Sequence, residues 1–296
     1  MSVIKDFPCT YQNSSGICPE IVSTLDVKFP DAYMTAEGMA QLSKALQKHD
    51  GAIFCEIPLC HTVEAEALGG DITPGDAVCG PRCRKPVFQS LEDFDTLSEM
   101  DFETGILKEV LSACRILSNA GENVVLELSG PFTIAGALID LGQLFLGFCK
   151  SPEKVLEIFR RIGEMQLAYA KKAMDCGVRY ISYGDAPGGV NIIGPKYAAF
   201  VAENFTYDFV KTLSDLTAGR AFLLLCPKTT FALVGSALAE FHDVPLPQPM
   251  TYQEACLALF GTVSISGQTC MKNIHHILPG VFKEIRLTER SSQKIC

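Results

Sequence analysis

The sequence contains no uninterrupted apolar run of the roughly twenty residues that a bilayer demands. Its most apolar stretch, Ala135 to Cys149, is broken by Asp140 and Gln143 and punctuated by glycine. Positive charge is also scarce. Lys and Arg number 25 against 34 Asp and Glu, a net charge of −9, so the clustered base of a nucleic-acid binder is not expected. The N-terminus, MSVIKDFPCTYQNSSG, has no basic head followed by an apolar core and does not read as a secretory signal. No Gly-x-Gly-x-x-Gly follows a candidate strand, and no Gly-x-x-x-x-Gly-Lys-Ser/Thr occurs, which counts against a nucleotide-binding fold. Long Gly/Ser/Pro linkers, fixed-period repeats and low-complexity tracts are absent too. A cytoplasmic protein with no membrane or nucleic-acid partner is the expectation.

What the sequence has in abundance is apolar residues and cysteine. Apolar residues make up 48% and charged residues 20%, a globular composition. Thirteen cysteines is an odd number in a chain too long and too plainly unexported for a disulfide scaffold. Reduced thiols used as small core hydrophobes account for most of them. So many free thiols suit a reducing cytosol such as that of an anaerobe.

Short apolar runs alternate with amphipathic helical patterns along the chain. Gly51–Pro58, Asn123–Pro131, Val178–Asp185, Ala221–Pro227 and Thr262–Thr269 read as strands, with Phe241–Gln248 and Phe282–Glu289 as weaker ones. Continuous apolar runs suit strands of a parallel sheet covered on both faces. Between them, Ser151-Pro152-Glu153 opens a helix whose stripe Val155, Phe159, Ile162, Tyr169, Ala173 ends at Gly177. Gly194-Pro195 opens another, carrying Phe200, Phe205 and Phe209. Thr251 and Glu254 form a capping box before a helix stopped by Gly261, and Thr35–Lys48 and Glu103–Asn119 are two more. This alternation in one uninterrupted chain predicts an α/β fold of the (β/α)₈ TIM-barrel type, one domain over residues 1–296 with an N-terminal extension over 1–30.

Barrel chemistry gathers at the C-terminal ends of the strands. Those ends carry Cys55, Glu56, Cys60 and His61, then Glu127 and Ser129, Tyr183 and Asp185, Cys226, and Cys270 with His275 and His276 beyond. Two thiolates from different strands with one nitrogen or oxygen donor are what a catalytic zinc takes, so Cys226 and Cys270 are candidate ligands. Buried, inert cysteines are the plainer reading of the same pair. Asp185 stands before Pro-Gly-Gly, where a carboxylate either holds the turn backbone or serves a site. Glu64 and Glu66 lie two apart, so on a helix they face different ways. Cys79 and Cys83 in CGPRC are spaced more loosely than Cys-x-x-Cys and read as loop residues.

Four segments carry a family likeness. SGPFTIAGALIDLGQLF, SPEKVLEIF, CGVRYISYGDAPGG and IIGPKYAAFVAENF together resemble the uroporphyrinogen decarboxylase superfamily, with Gly-Pro-Phe-Thr the most specific element. The likeness runs from Phe29 to Gly267. FPDAYMTAEGMAQL and IPLCHTVEAEALGG are similar to the opening segments of its corrinoid-dependent branch, the methylcobamide:coenzyme M methyltransferases and their relatives. The resemblance implies a zinc site on Cys226, with Leu224 standing where the family has His and Pro227 where it has Gly. Cys270, with His275 or His276, is the expected second half of that site.

The activity this resemblance implies is that of a methyltransferase, moving a methyl group between a cobamide on a corrinoid carrier protein and a small-molecule donor or acceptor. A zinc-held thiolate would be the nucleophile, because a free alkyl thiol with a pKa near ~8.5 is mostly protonated at neutral pH. Glu56, His61 and Asp185 would position substrate or move protons. Decarboxylation of a tetrapyrrole or smaller acid is the alternative, weakened because Lys5 is the only basic residue between Met1 and Leu25 to meet so many carboxylates. A non-catalytic barrel that binds a corrinoid is the third reading, favoured by Leu224.

Overall fold

Seven strands form the central sheet of the computed structural model, which describes residues 4–9 and 16–290. In chain order they are β1 Phe54–Ile57, β2 Asn123–Ser129, β3 Tyr180–Gly184, β4 Phe222–Leu225, β5 Ala239–Pro245, β6 Ile265–Ser266 and β7 Val281–Leu287. Their order across the sheet is β1-β2-β3-β4-β6-β7-β5. The first five of that series run parallel, each in register with its neighbour. The α-helices longer than four residues, among the described residues, are α1 Ala36–Asp50, α2 Val63–Ala67, α3 Gly105–Asn119, α4 Pro131–Leu138, α5 Leu141–Lys150, α6 Pro152–Asp175, α7 Val190–Val201, α8 Tyr207–Thr217, α9 Pro227–Gly235 and α10 Tyr252–Ala258.

The α/β architecture of the barrel type is present, with one departure. Eight parallel strands closing on themselves are expected, whereas β7 pairs antiparallel with both β6 and β5, and no ladder joins β5 to β1 among the described residues. The physical reason lies in the two weaker strand signals. β5 and β7 carry Glu240, His242, Asp243, Lys283, Glu284 and Arg286, and the Lys283 ammonium donates to Asp243 across the ribbon at 2.7 Å. Strands with one polar, solvated face belong to antiparallel pairs rather than to the doubly covered parallel ring.

Strand pleating sorts residues to opposite faces. Cys55, Ile57, Val124, Leu126, Leu128, Ile181, Tyr183, Leu223 and Leu225 point outward and share one core with α1, α3, α6 and α8. Phe54, Val125, Tyr180, Phe222 and Leu224 point inward, where Tyr252, Cys256, Met271 and Phe282 fill the middle of the sheet's other face. Gln253 fastens this filling to the edge. Its amide oxygen accepts from the Ile53 backbone N–H at 2.8 Å, and its amide nitrogen donates to the Met271 carbonyl at 2.9 Å.

The helix signals mostly fall where they are read. Thr35 caps α1 by accepting from the Gly38 N–H, and α6 runs from Pro152 until Gly177, whose φ of +96° ends it. Gly194, at φ +75°, breaks α7 so that Pro195 opens its second helical piece, and a π-turn over Ala202–Thr206 carries the chain into α8. The most apolar stretch becomes α4 and α5, which meet at 115°. No single helix among the described residues is long and apolar enough to cross a membrane.

The capping box of α10 is complete, with Thr251 Oγ1 accepting from the Glu254 N–H and Glu254 Oε2 accepting from the Thr251 N–H. Thr251→Ala is therefore expected to lower stability by about 1 kcal/mol, read as the shift in a urea unfolding curve. An unchanged midpoint would contradict the role assigned to this cap.

Candidate functional site

Pleating that sends Phe54 and Val125 inward sends Glu56 and Glu127 inward as well, two residues nearer the C-terminal ends of β1 and β2. Between them lies the ammonium of Lys272, which reaches in from the segment after β6. Lys272 Nζ stands 2.9 Å from Glu127 Oε2 and 3.2 Å from Glu56 Oε2. The Lys272 side chain is 13% exposed and that of Glu127 only 6%. The pair is therefore shielded from bulk water, and at such a buried site an unpaired charge would be costly. Burial pushes the Glu56 carboxyl above the usual range, and Glu127 adds to the push while Lys272 opposes it.

His61 follows β1 and sits against the same cluster. Burial and the neighbouring Lys272 charge drive its imidazole down to about 4, with Glu56 pulling the other way. At neutral pH it is an uncharged ring. Glu56, His61, Glu127 and Lys272 line a cavity of about 730 Å³ that also takes in Cys60, Phe132 and Thr133. The sequence pointed to Glu56 and His61 as rim groups, and the structure brings them together. The sequence does not point to Lys272, a single cation three residues after the Thr262–Thr269 run.

Asp185 stands outside this cavity. Its two carboxylate oxygens accept from the Phe132 and Thr133 backbone N–H groups at 3.0 and 2.9 Å and from the Thr133 hydroxyl at 2.9 Å. It thereby caps the first turn of α4, and burial lifts its carboxyl to about 6. Gly130 is required for this, because a Cβ there would lie 2.1 Å from the Asp185 Cβ. The backbone that Asp185 holds is the start of α4, not the turn that follows it in the chain.

Glu64 and Glu66 diverge as their spacing requires. Glu64 is fully buried and Glu66 half-buried. Glu64 Oε1 accepts from the Ser129 N–H at 2.8 Å, and Gln166 donates to the Ser129 carbonyl. Burial raises the Glu64 carboxyl to about 7. Among the other flagged thiols, Cys79 is exposed, and Cys83 Sγ donates to the Ala137 carbonyl at 3.1 Å.

Cys226 and Cys9 both act electrostatically on Cys270, and Cys9 acts on Cys226. Cys226 accepts from the Lys228 and Thr229 backbone N–H groups at the start of α9, yet burial still raises its thiol, and burial pushes Cys270 up to about 12. Neither lines the cavity that holds Glu56 and Lys272. A catalytic zinc takes three protein ligands. His275 is exposed, and no three His, Cys, Asp or Glu side chains among the described residues are grouped to hold a metal ion. The donor set around Cys226 and Cys270 does not fit a zinc ion.

The chain is similar over most of its length to known proteins. The family model for uroporphyrinogen decarboxylase (URO-D) matches residues 4–231. The methylcobamide:CoM methyltransferase MtbA of Methanosarcina mazei is 28% identical over 211 residues, covering 69% of this chain and 61% of the relative. The methylcobamide:CoM methyltransferase MtaA of Methanosarcina barkeri is 23% identical over 248 residues, covering 83% of this chain and 72% of the relative. The chain thus spans about three fifths of the length of the MtbA relative. A solved methyltransferase structure from Methanosarcina mazei superposes with a TM-score of 0.63 at 18% identity, over 80% of this chain and 68% of that one, and supports the fold.

Glu64 yields a pH-dependent prediction. Its carboxyl is raised in the folded chain, so the folded state binds the extra proton and stability falls as pH rises from about 4.5 towards 7. Glu64→Gln removes that titration. Its stability relative to the parent should therefore be more favourable at pH 8 than at pH 5, by about 1–3 kcal/mol, measured by urea unfolding at both values. An identical difference at the two pH values would overturn the assignment.

Proposed function

The chain belongs to the uroporphyrinogen decarboxylase (URO-D) family, and on that premise we propose that it is a corrinoid-dependent methyltransferase. It moves a methyl group between a cobamide, carried by a partner protein, and a small acceptor such as a thiol. The observation that carries this reading is the 211-residue match to a methylcobamide:CoM methyltransferase. The cavity supports it over decarboxylation. A porphyrinogen brings many carboxylates, whereas Arg82 and Lys272 are the two Lys or Arg side chains among the described residues that line the cavity.

In the transfer, the acceptor thiol loses its proton, a sulfur–carbon bond forms, and the cobalt–carbon bond breaks with its electron pair left on cobalt. The corrinoid supplies the reactive methyl group. The protein's share is to hold the acceptor, stabilise its thiolate and take the proton. Lys272 is the buried positive charge beside the cavity, suited to favouring a thiolate over a thiol. Glu56, lifted by burial, is the better proton acceptor. His61, at about 4, is too weak a base to keep a proton and serves as a neutral hydrogen-bond acceptor that orients the substrate.

The test uses the full chain, methylcobalamin and a small alkyl thiol, and follows loss of the cobalt–methyl absorption together with thioether formation. The parent is expected to produce thioether, and Lys272→Met to lower kcat/KM about 100-fold, with Lys272→Arg retaining more activity. Carbon dioxide release from a carboxylic acid without thioether would favour the decarboxylase, and corrinoid binding without turnover would favour a binding barrel. Either result would overturn the proposal.

A further inference from the structure

The wall of the same cavity also holds a cluster that methyl transfer does not use. Cys18 Sγ lies 3.7 Å from His49 Nε2, and His49 Nδ1 lies 2.7 Å from Asp50 Oδ1. A carboxylate only accepts, so the hydrogen of the neutral ring belongs on Nδ1 and the lone pair of Nε2 faces the sulfur. Thiol, imidazole and orienting carboxylate are the constellation of an activated sulfur nucleophile.

The remaining thiols on this wall are placed differently. Burial pushes both Cys60 and Cys83 up, away from thiolate character. Cys60 Sγ accepts from the Thr62 hydroxyl at 3.3 Å, while Cys83 Sγ donates to a backbone carbonyl. Cys79 is exposed without an imidazole in hydrogen-bonding contact among the described residues. Cys18 is half-buried, and Cys18, His49 and Asp50 all line the cavity.

We propose that Cys18, with His49 as its base and Asp50 holding that base, is a thiol–disulfide exchange site that takes low-molecular-weight disulfides. His49 Nε2 accepts the Cys18 proton, and the thiolate attacks one sulfur of the disulfide. The old sulfur–sulfur bond breaks, a new one joins Cys18 to the bound half, and the other half leaves as a thiolate that regains a proton from the His49 imidazolium. Cys18 is oxidised and the departing sulfur is reduced, so electrons balance without a further reagent. The adduct occupies the wall of the cavity and narrows it, which makes the thiol–disulfide balance of the surroundings a control on access.

The experiment treats the reduced full chain with glutathione disulfide and maps mixed disulfides by peptide mass over time. Cys18 should be modified at least about tenfold faster than the exposed Cys79 and Cys149. His49→Gln should slow Cys18 by a similar factor while leaving those two cysteines unchanged, and Asp50→Asn should slow it less. His49 and Asp50 are both exposed, so these variants keep the fold. Modification of Cys18 no faster than of Cys79, or an unchanged Cys18 rate in His49→Gln, would overturn the proposal. The readout is the adduct itself, so it stands or falls apart from methyl transfer.

Discussion

A buried ammonium has to be answered by acids, and much of this molecule's interior is arranged around that requirement. Lys272 comes from beyond the last parallel strand and crosses to the ends of the first two, where Glu56 and Glu127 receive it. Removing one partner of such a group commonly costs about 3–5 kcal/mol, because the other charge is left without compensation. The bridge therefore constrains the positions of β1, β2 and the segment after β6 together. It also does electrostatically what no backbone ladder does among the described residues, tying the β1 side of the open sheet to a distant part of the chain. Gln253 makes a second tie of the same kind one layer below.

The same cluster sets the chemistry of its surroundings. The positive charge of Lys272 helps keep His61 neutral, and the like charge of Glu127 helps keep Glu56 ready to hold a proton. Burial raises the thiols of Cys226 and Cys270, and neither lines this cavity.

The parallel half of the fold is legible in the sequence because its strands are continuous apolar runs, and the helices between them carry their caps openly at Thr35, Ser151-Pro152 and Thr251. The antiparallel half is legible only as weaker strands, since alternating charge in β5 and β7 does not reveal which neighbour will pair with them. Glu56 and His61 are found by reading strand ends, because a barrel-like sheet gathers such positions on one rim. Lys272 is not, because a single lysine in a loop shows nothing of the two carboxylates that receive it, one of them 145 residues away in the chain. Asp185 illustrates the converse. Its place before Pro-Gly-Gly is equally consistent with holding a backbone and with serving a site, and only coordinates reveal the three donors that occupy it. The Cys18–His49 contact joins residues 31 apart and leaves no local motif.

A crystal structure of the full chain with methylcobalamin and a small alkyl thiol bound would test the role of Lys272 most directly. The thiol's sulfur is expected inside the cavity, within hydrogen-bonding reach of Lys272 Nζ and on the side of Glu56. A sulfur held instead between Cys226 and Cys270, with Lys272 still clasped and remote from it, would contradict that role.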